Sequence, residues 1–210
     1  AGKDVIFLKT HNALLTVDNH SFTTSKTTVG VIYVIRDPRN LITSLKNHMD
    51  FKNYEETFKF MTNEYAMTYG DKKNLAKSSY LSTWRTHYTS WIKLNNFNKF
   101  IIRYEDMIEN PAVTFRKLIL YTNKLSGHET KIDEDKFNNA IKTTNFENMK
   151  KSEKAGEFKE NVFSRGKDKK KLEFFYLGPK NDWRKLLDNN FTDKLNKYFN
   201  DDLKVFGYKS

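Results

Sequence analysis

Three stretches of the chain are continuously apolar and end on polar residues. Val5-Ile6-Phe7-Leu8 stops at Lys9-Thr10-His11. Val31-Ile32-Tyr33-Val34-Ile35 follows Gly30 and stops at Arg36, and Phe100-Ile101-Ile102 runs into Arg103-Tyr104-Glu105-Asp106. Apolar runs without alternation predict strands covered on both faces, hence an α/β fold with a parallel sheet flanked by helices. The segments between them carry apolar residues at helical spacing. Asp37-Pro38 supplies an N-cap and a first-turn proline ahead of Leu41, Ile42 and Leu45. Further helices are predicted over 54–69, 80–94, 135–142 and 191–206, and from Pro111 through Leu120. Residues 152–171 are polar, contain two glycines and read as a long mobile loop. With no internal repeat and no boundary in composition, residues 1–210 are read as a single domain.

Open α/β sheets bind ligands beyond the carboxyl ends of their strands. That rule singles out Lys9-Thr10-His11, Arg36-Asp37 and Tyr104-Glu105-Asp106. His11 lies just past a strand, and an imidazole is the side chain suited to act as a base at neutral pH, although a lone histidine is most often structural. Arg36 lies beside the N-terminus of a capped helix, where a guanidinium and free amides suit an anion. The competing arrangement is Arg36 paired with Asp37 or another carboxylate. Ser44, eight positions on, shares that helix.

Composition changes the picture in three ways. Hydrophobic residues at 38% and aromatics at 15% of 210 residues are enough for a core, which excludes a disordered chain. The absence of cysteine excludes disulfides, thiolate-held zinc, iron–sulfur clusters and thiol nucleophiles. The net charge of +11 favours anionic partners in general. Lysine dominates it, and the run Lys167, Lys169, Lys170, Lys171 reads as a solvated loop. No apolar run approaches 18 residues and the start lacks a signal-peptide pattern, so a soluble, cytoplasmic protein is expected.

Taken together, these segments resemble the cytosolic-type sulfotransferases that use 3′-phosphoadenosine 5′-phosphosulfate (PAPS). Val31 to Ser44 is similar to that family's 3′-phosphate-binding segment. Leu8-Lys9-Thr10-His11 resembles the strand bearing its catalytic base. Trp84, His87 and Trp91 repeat the spacing of a family helix, and Arg103 to Met107 followed by Glu109-Asn110-Pro111 matches another strand end and helix start. Thr144-Asn145-Phe146 with Met149 resembles an adenine-contacting stretch, and Asp182-Trp183-Arg184-Lys185 a segment that closes the cofactor site. The matches occur in family order along nearly the whole chain.

Two departures accompany them. The family's glycine-rich loop for the 5′-phosphosulfate, expected before the first strand, is not among the eight glycines of the chain. The expected fold is therefore a sulfotransferase fold of the P-loop nucleotide-binding type, N-terminally incomplete, with one strand and its loop missing. The family's Arg-Lys-Gly pattern before Trp183 is also disturbed: Tyr176 and Leu177 stand at the charged positions and only Gly178 is retained. Arg165-Gly166-Lys167 supplies the charges if 168–177 is an insertion, and both alternatives stand.

The resemblance implies sulfuryl transfer from PAPS to an acceptor hydroxyl or amine, with His11 as general base and Lys9 offsetting negative charge. Arg36 and Ser44 would hold the 3′-phosphate, and Tyr104, Thr144, Phe146 and Met149 would frame the adenine. Arg165, Gly166, Lys167 and Gly178 are the remaining nucleotide-binding candidates, and His87 would line the acceptor pocket. No metal is implied; the expected partner is a small-molecule or glycan acceptor, and neither nucleic acid nor a membrane span is expected. A runner-up reading is a non-catalytic nucleotide- or nucleic-acid-binding α/β domain using the basic surface, against which stands the lack of any recognised nucleic-acid-binding motif.

Overall fold

A β-branched run needs a neighbour to satisfy its backbone, and two of the three predicted strands provide one for each other. Strand β3 (Gly30–Ile35) pairs in parallel with β6 (Asn98–Arg103), with Gly30 opposite Asn98 and Ile35 opposite Arg103. The structure, a computed structural model, describes residues 5–69, 78–93, 97–127, 131–158, 160, 162–164 and 169–209. Its other strands are two-residue antiparallel pairs: β1 (Thr16–Val17) with β2 (His20–Ser21), β4 (Met67–Thr68) with β5 (Ser79–Tyr80), and β7 (Val162–Phe163) with β8 (Lys171–Leu172). The helices are α1 (Pro38–His48), α2 (Tyr54–Met61), α3 (Trp84–Ile92), α4 (Tyr104–Glu109), α5 (Pro111–Ser126), α6 (Glu134–Thr143), α7 (Phe146–Lys154), α8 (Trp183–Leu186) and α9 (Asn189–Val205). A mixed α/β chain with a parallel strand pair and helices is thus observed.

Val5–Leu8 corrects the reading of three adjacent strands. It forms no strand, and Ile6, Phe7 and Leu8 are 82%, 69% and 88% exposed. Strand propensity alone cannot close a ladder; among the described residues β3 is hydrogen-bonded to β6 and to no other strand. The full covering of both sheet faces is not observed either, since Val34 and Ile101 are exposed. The predicted helix over 54–69 ends at Met61, and 80–94 begins as strand β5 before α3; Ala66 accepts from the Leu81 amide at 2.8 Å, a local pairing that carries no hydrophobic period. The stretch 152–171 is not one loop: α7 extends to Lys154 and β7 pairs with β8.

The chain gathers into two compact units. The first comprises 1–35, 59–107 and 113–130, the second 36–58, 108–112 and 131–210. In the first, α5 packs on the parallel pair through stacked rings of Phe100 and Tyr121, 5.1 Å between centroids. Gly30 sits against this helix, where a Cβ would require the ends of the Leu125 and Tyr121 side chains to shift. In the second, α9 buries Phe191, Leu195, Phe199 and Leu203 at four-residue intervals, a stripe that turns one helix face into core. Phe58 of α2 meets that stripe edge-on, 6.4 Å from both Phe191 and Phe199.

Candidate functional site

In the first unit, the segment after Leu8 is neither helix nor strand, yet its backbone is held at several points. The Ala13 amide donates to the Tyr80 carbonyl and the Tyr80 amide to Asn12 Oδ1, both at 2.8 Å. Helix α3, N-capped by Thr83, supplies the rest. His87, Ser90 and Trp91 share one face of that helix because they are three and four residues apart. His87 Nε2 contacts the His11 carbonyl at 3.1 Å, Ser90 Oγ accepts the Leu14 amide at 2.9 Å, and Trp91 Nε1 donates to the Asn12 carbonyl at 2.9 Å. The outcome is a fixed main chain with the Lys9 and His11 side chains exposed.

His87 is further held by Tyr33 of β3, whose hydroxyl lies 2.7 Å from Nδ1. A carbonyl only accepts, so Nε2 carries the proton and Nδ1 accepts from the Tyr33 hydroxyl. Burial pushes the His87 pKa down; the His11 carbonyl contact opposes this, and the nearby His11 charge adds to it. Burial raises the Tyr33 phenol, with a smaller push from Tyr88. The ring is therefore neutral at neutral pH. His87 was expected to line the acceptor pocket, and both of its nitrogens are engaged in this chain of contacts. Tyr33 was not singled out from the sequence; its one visible signal is a hydroxyl inside an otherwise aliphatic strand.

At the end of β6, Tyr104 opens α4 and is half-buried. Arg103 donates to Asp106 at 3.0 Å through Nε, and this contact holds the Asp106 carboxyl below the usual carboxylate range.

In the second unit, Arg36 is half-buried and followed by the start of α1. Asp37 is the N-cap, as its position before Pro38 predicts, and its carboxylate accepts from the Arg39 amide and side chain. The expectation of free amides for an anion is thereby corrected. Pro38 has no N–H, the Arg39 amide is taken by the Asp37 carboxylate, and those of Asn40 and Leu41 by the Asp37 carbonyl. Ser44, on the same helix, is half-buried. Asn40 ties α1 to α8: its carbonyl accepts from Asn181 Nδ2 at 2.8 Å and its Oδ1 from the Trp183 amide at 2.9 Å. Trp183 itself is buried, with the Arg39 guanidinium 4.3 Å from its ring centroid.

Thr144 caps the C-terminus of α6, exposed, with its hydroxyl donated to the Ala140 carbonyl at 2.7 Å. Phe146 and Met149, both half-buried, lie one turn apart on α7. The Phe146 ring meets Phe175 edge-on at 6.0 Å and covers Gly178, whose φ of +53° and lack of Cβ are both required there. Lys150, also on α7, donates to the Tyr176 carbonyl at 3.2 Å and pairs with Glu173 at 3.0 Å. This brings to 173–178 a cation that no motif indicated. Arg165, Gly166 and Lys167 lie outside the described residues.

Chemically, the first unit presents an exposed imidazole and ammonium on a fixed main chain, and the second a guanidinium, a hydroxyl and an aromatic surface. Among the described residues no cluster of His, Asp and Glu could hold a metal ion, and no helix is long and apolar enough to cross a membrane. A family model described as a sulfotransferase domain matches residues 3–207. The fold is similar to that of mouse sulfotransferase SULT7A1 complexed with PAP, at a TM-score of 0.53 and 16% identity, over 83% of this chain and 58% of that one. It is similar as well to retinol dehydratase in a complex with retinol and PAP, at a TM-score of 0.54 and 19% identity, over 83% of this chain and 48% of that one. The chain thus spans roughly half the length of these matching structures. No curated protein sequence matches it significantly.

Proposed function

Because the chain belongs to the sulfotransferase family, we propose that it moves a sulfuryl group from PAPS to the hydroxyl or amine of a small-molecule acceptor. The observation that carries this reading is the exposed His11 on a segment that five hydrogen bonds from neighbouring elements, four of them to its main chain, hold in place. PAPS supplies a sulfuryl group whose bond to the 5′-phosphate oxygen breaks as the acceptor atom forms its own. An unprotonated ring nitrogen of His11 takes the acceptor's proton, and the Lys9 ammonium offsets the charge left on the phosphate. Such transfers depend on positioning and electrostatics more than on covalent chemistry.

Arg36 and Ser44 hold the 3′-phosphate, which carries no reacting atom but sets register through charge-assisted hydrogen bonds. Phe146 and Met149 offer an apolar surface for adenine, to which Thr144 contributes, and Tyr104 is a further candidate for the nucleotide. Either Gly178 or the Arg165-Gly166-Lys167 stretch completes the nucleotide contacts. The PAP complexes of the similar structures support the nucleotide, and the bound retinol in one of them supports a small apolar acceptor.

Titration calorimetry with adenosine 3′,5′-bisphosphate against adenosine 5′-monophosphate tests the proposal. The 3′-phosphate should add affinity, and Arg36→Ala should remove about 1.5–3 kcal/mol of it, the range for hydrogen bonds to charged groups. That is a loss of roughly 10- to 150-fold in affinity. Equal affinity for the two nucleotides would end the assignment.

A further inference from the structure

The α3 helix grips residues 11–14 through side chains that have no need to touch a substrate. Trp91 and Ser90 hold Asn12 and Leu14, but His87 alone among these contacts reaches the residue proposed as the base. Its own orientation is set from β3. The Tyr33 hydroxyl donates to Nδ1 at 2.7 Å, which leaves the proton on Nε2, the atom that meets the His11 carbonyl at 3.1 Å. The two ring centroids sit 5.8 Å apart, tilted by 50°. A rigid strand, a fixed tautomer and one carbonyl thus form a continuous line ending at the His11 main chain.

We propose that Tyr33 and His87 are positioning residues for His11: the strand hydroxyl fixes the His87 tautomer, and His87 in turn fixes the backbone from which the His11 imidazole projects. The assignment rests on the sulfotransferase reading for its catalytic consequence and on geometry alone for its structural one. Without the line, the His11 carbonyl loses its His87 contact while the same peptide plane keeps only its amide end tied, Asn12 N–H to Thr10 Oγ1 at 3.0 Å, and the exposed imidazole samples a wider range of positions. Misplacing a catalytic group by about 1 Å costs up to about 100-fold in rate. Nucleotide contacts assigned to Arg36 and Ser44 do not pass through this line.

The test compares full-length wild type with Tyr33→Phe, His87→Leu, His87→Gln and His11→Ala. Turnover with PAPS and affinity for adenosine 3′,5′-bisphosphate are measured in each, together with the His11 ring signal in histidine-labelled protein by NMR. Tyr33→Phe and His87→Leu should lower kcat by about 10- to 100-fold, with nucleotide affinity unchanged and the His11 signal broadened or shifted. His87→Gln, whose amide can still donate to the carbonyl, should recover most of the rate. A His11 signal of unchanged position, width and titration in both Tyr33→Phe and His87→Leu would overturn the proposal. So would unchanged kcat in those two variants beside a His11→Ala protein that has lost turnover. A His11 signal that responds to Tyr33→Phe in a wild type that binds adenosine 3′,5′-bisphosphate no more tightly than adenosine 5′-monophosphate would support the positioning line and count against the sulfotransferase reading. Tyr33→Phe removes a single oxygen, so it reports even if His87→Leu fails to fold.

Discussion

Replacing Arg39 by methionine should destabilise the second unit far more than the loss of an ordinary arginine. The side chain is 1% exposed and makes a dense set of contacts. Its Nε and Nη2 donate to the two Asp37 oxygens at 3.0 and 2.8 Å. Nη1 donates to Asn196 Oδ1 at 2.9 Å and Nη2 to the Lys209 carbonyl at 2.7 Å, while the guanidinium covers the Trp183 ring. Arg39→Met keeps the apolar stem and deletes the charge, leaving the Asp37 carboxylate, itself 4% exposed, without this counter-ion. Breaking a buried pair from one side costs about 3–5 kcal/mol, against about 5–15 kcal/mol for a whole domain. The corresponding fall in melting temperature is about 6–20 °C for a chain of this size. Urea unfolding followed by circular dichroism measures the change, and an Asp37→Asn/Arg39→Met double variant separates charge from packing. Asparagine still caps a helix, so the double variant should regain part of the loss. A cost below about 1 kcal/mol, the range of exposed pairs, would refute the reasoning, as would a double variant no more stable than Arg39→Met.

Stability should decline as pH falls below about 6.5, because His87, held neutral mainly by burial, takes up its proton more readily in the unfolded chain than in the folded one. The drop should flatten in His87→Gln; an equally steep profile in that variant would place its origin elsewhere. Gly178→Ala forces a side chain into φ of +53° and against the Phe146 ring, so it should cost at least about 1 kcal/mol. Thermal melts check this, and pairing it with Phe146→Leu should relieve the overlap but not the backbone cost.

Local chemistry read directly from the sequence survives in the structure wherever neighbours along the chain suffice. Asp37-Pro38 starts α1 and Asp37 caps it, because an N-cap needs only amides two and three residues away. Predicted helices at 135–142 and 191–206 appear as Glu134–Thr143 and Asn189–Val205, their apolar periods being properties of a single segment. The parallel partnership of Val31–Ile35 with Phe100–Ile102 was legible too, since both are β-branched runs ending on polar residues. The order of motifs along the chain was likewise enough to identify the family.

Tertiary structure decided everything that depends on which distant groups meet. Val5–Leu8 has the composition of a strand and, among the described residues, no ladder partner, so Ile6, Phe7 and Leu8 face solvent. Arg36 and Arg39 look equivalent in the sequence, but Arg39 reaches Asn196 and the Lys209 carbonyl, more than 150 residues away, and is bound to the Asp37 carboxylate as well. Tyr33 had no motif to mark it; its role exists only because α3 sets His87 beside β3 and the residue 11 carbonyl within reach of the same ring. Hydrogen bonds across 54 and 76 residues are set by packing, and no local pattern encodes their geometry.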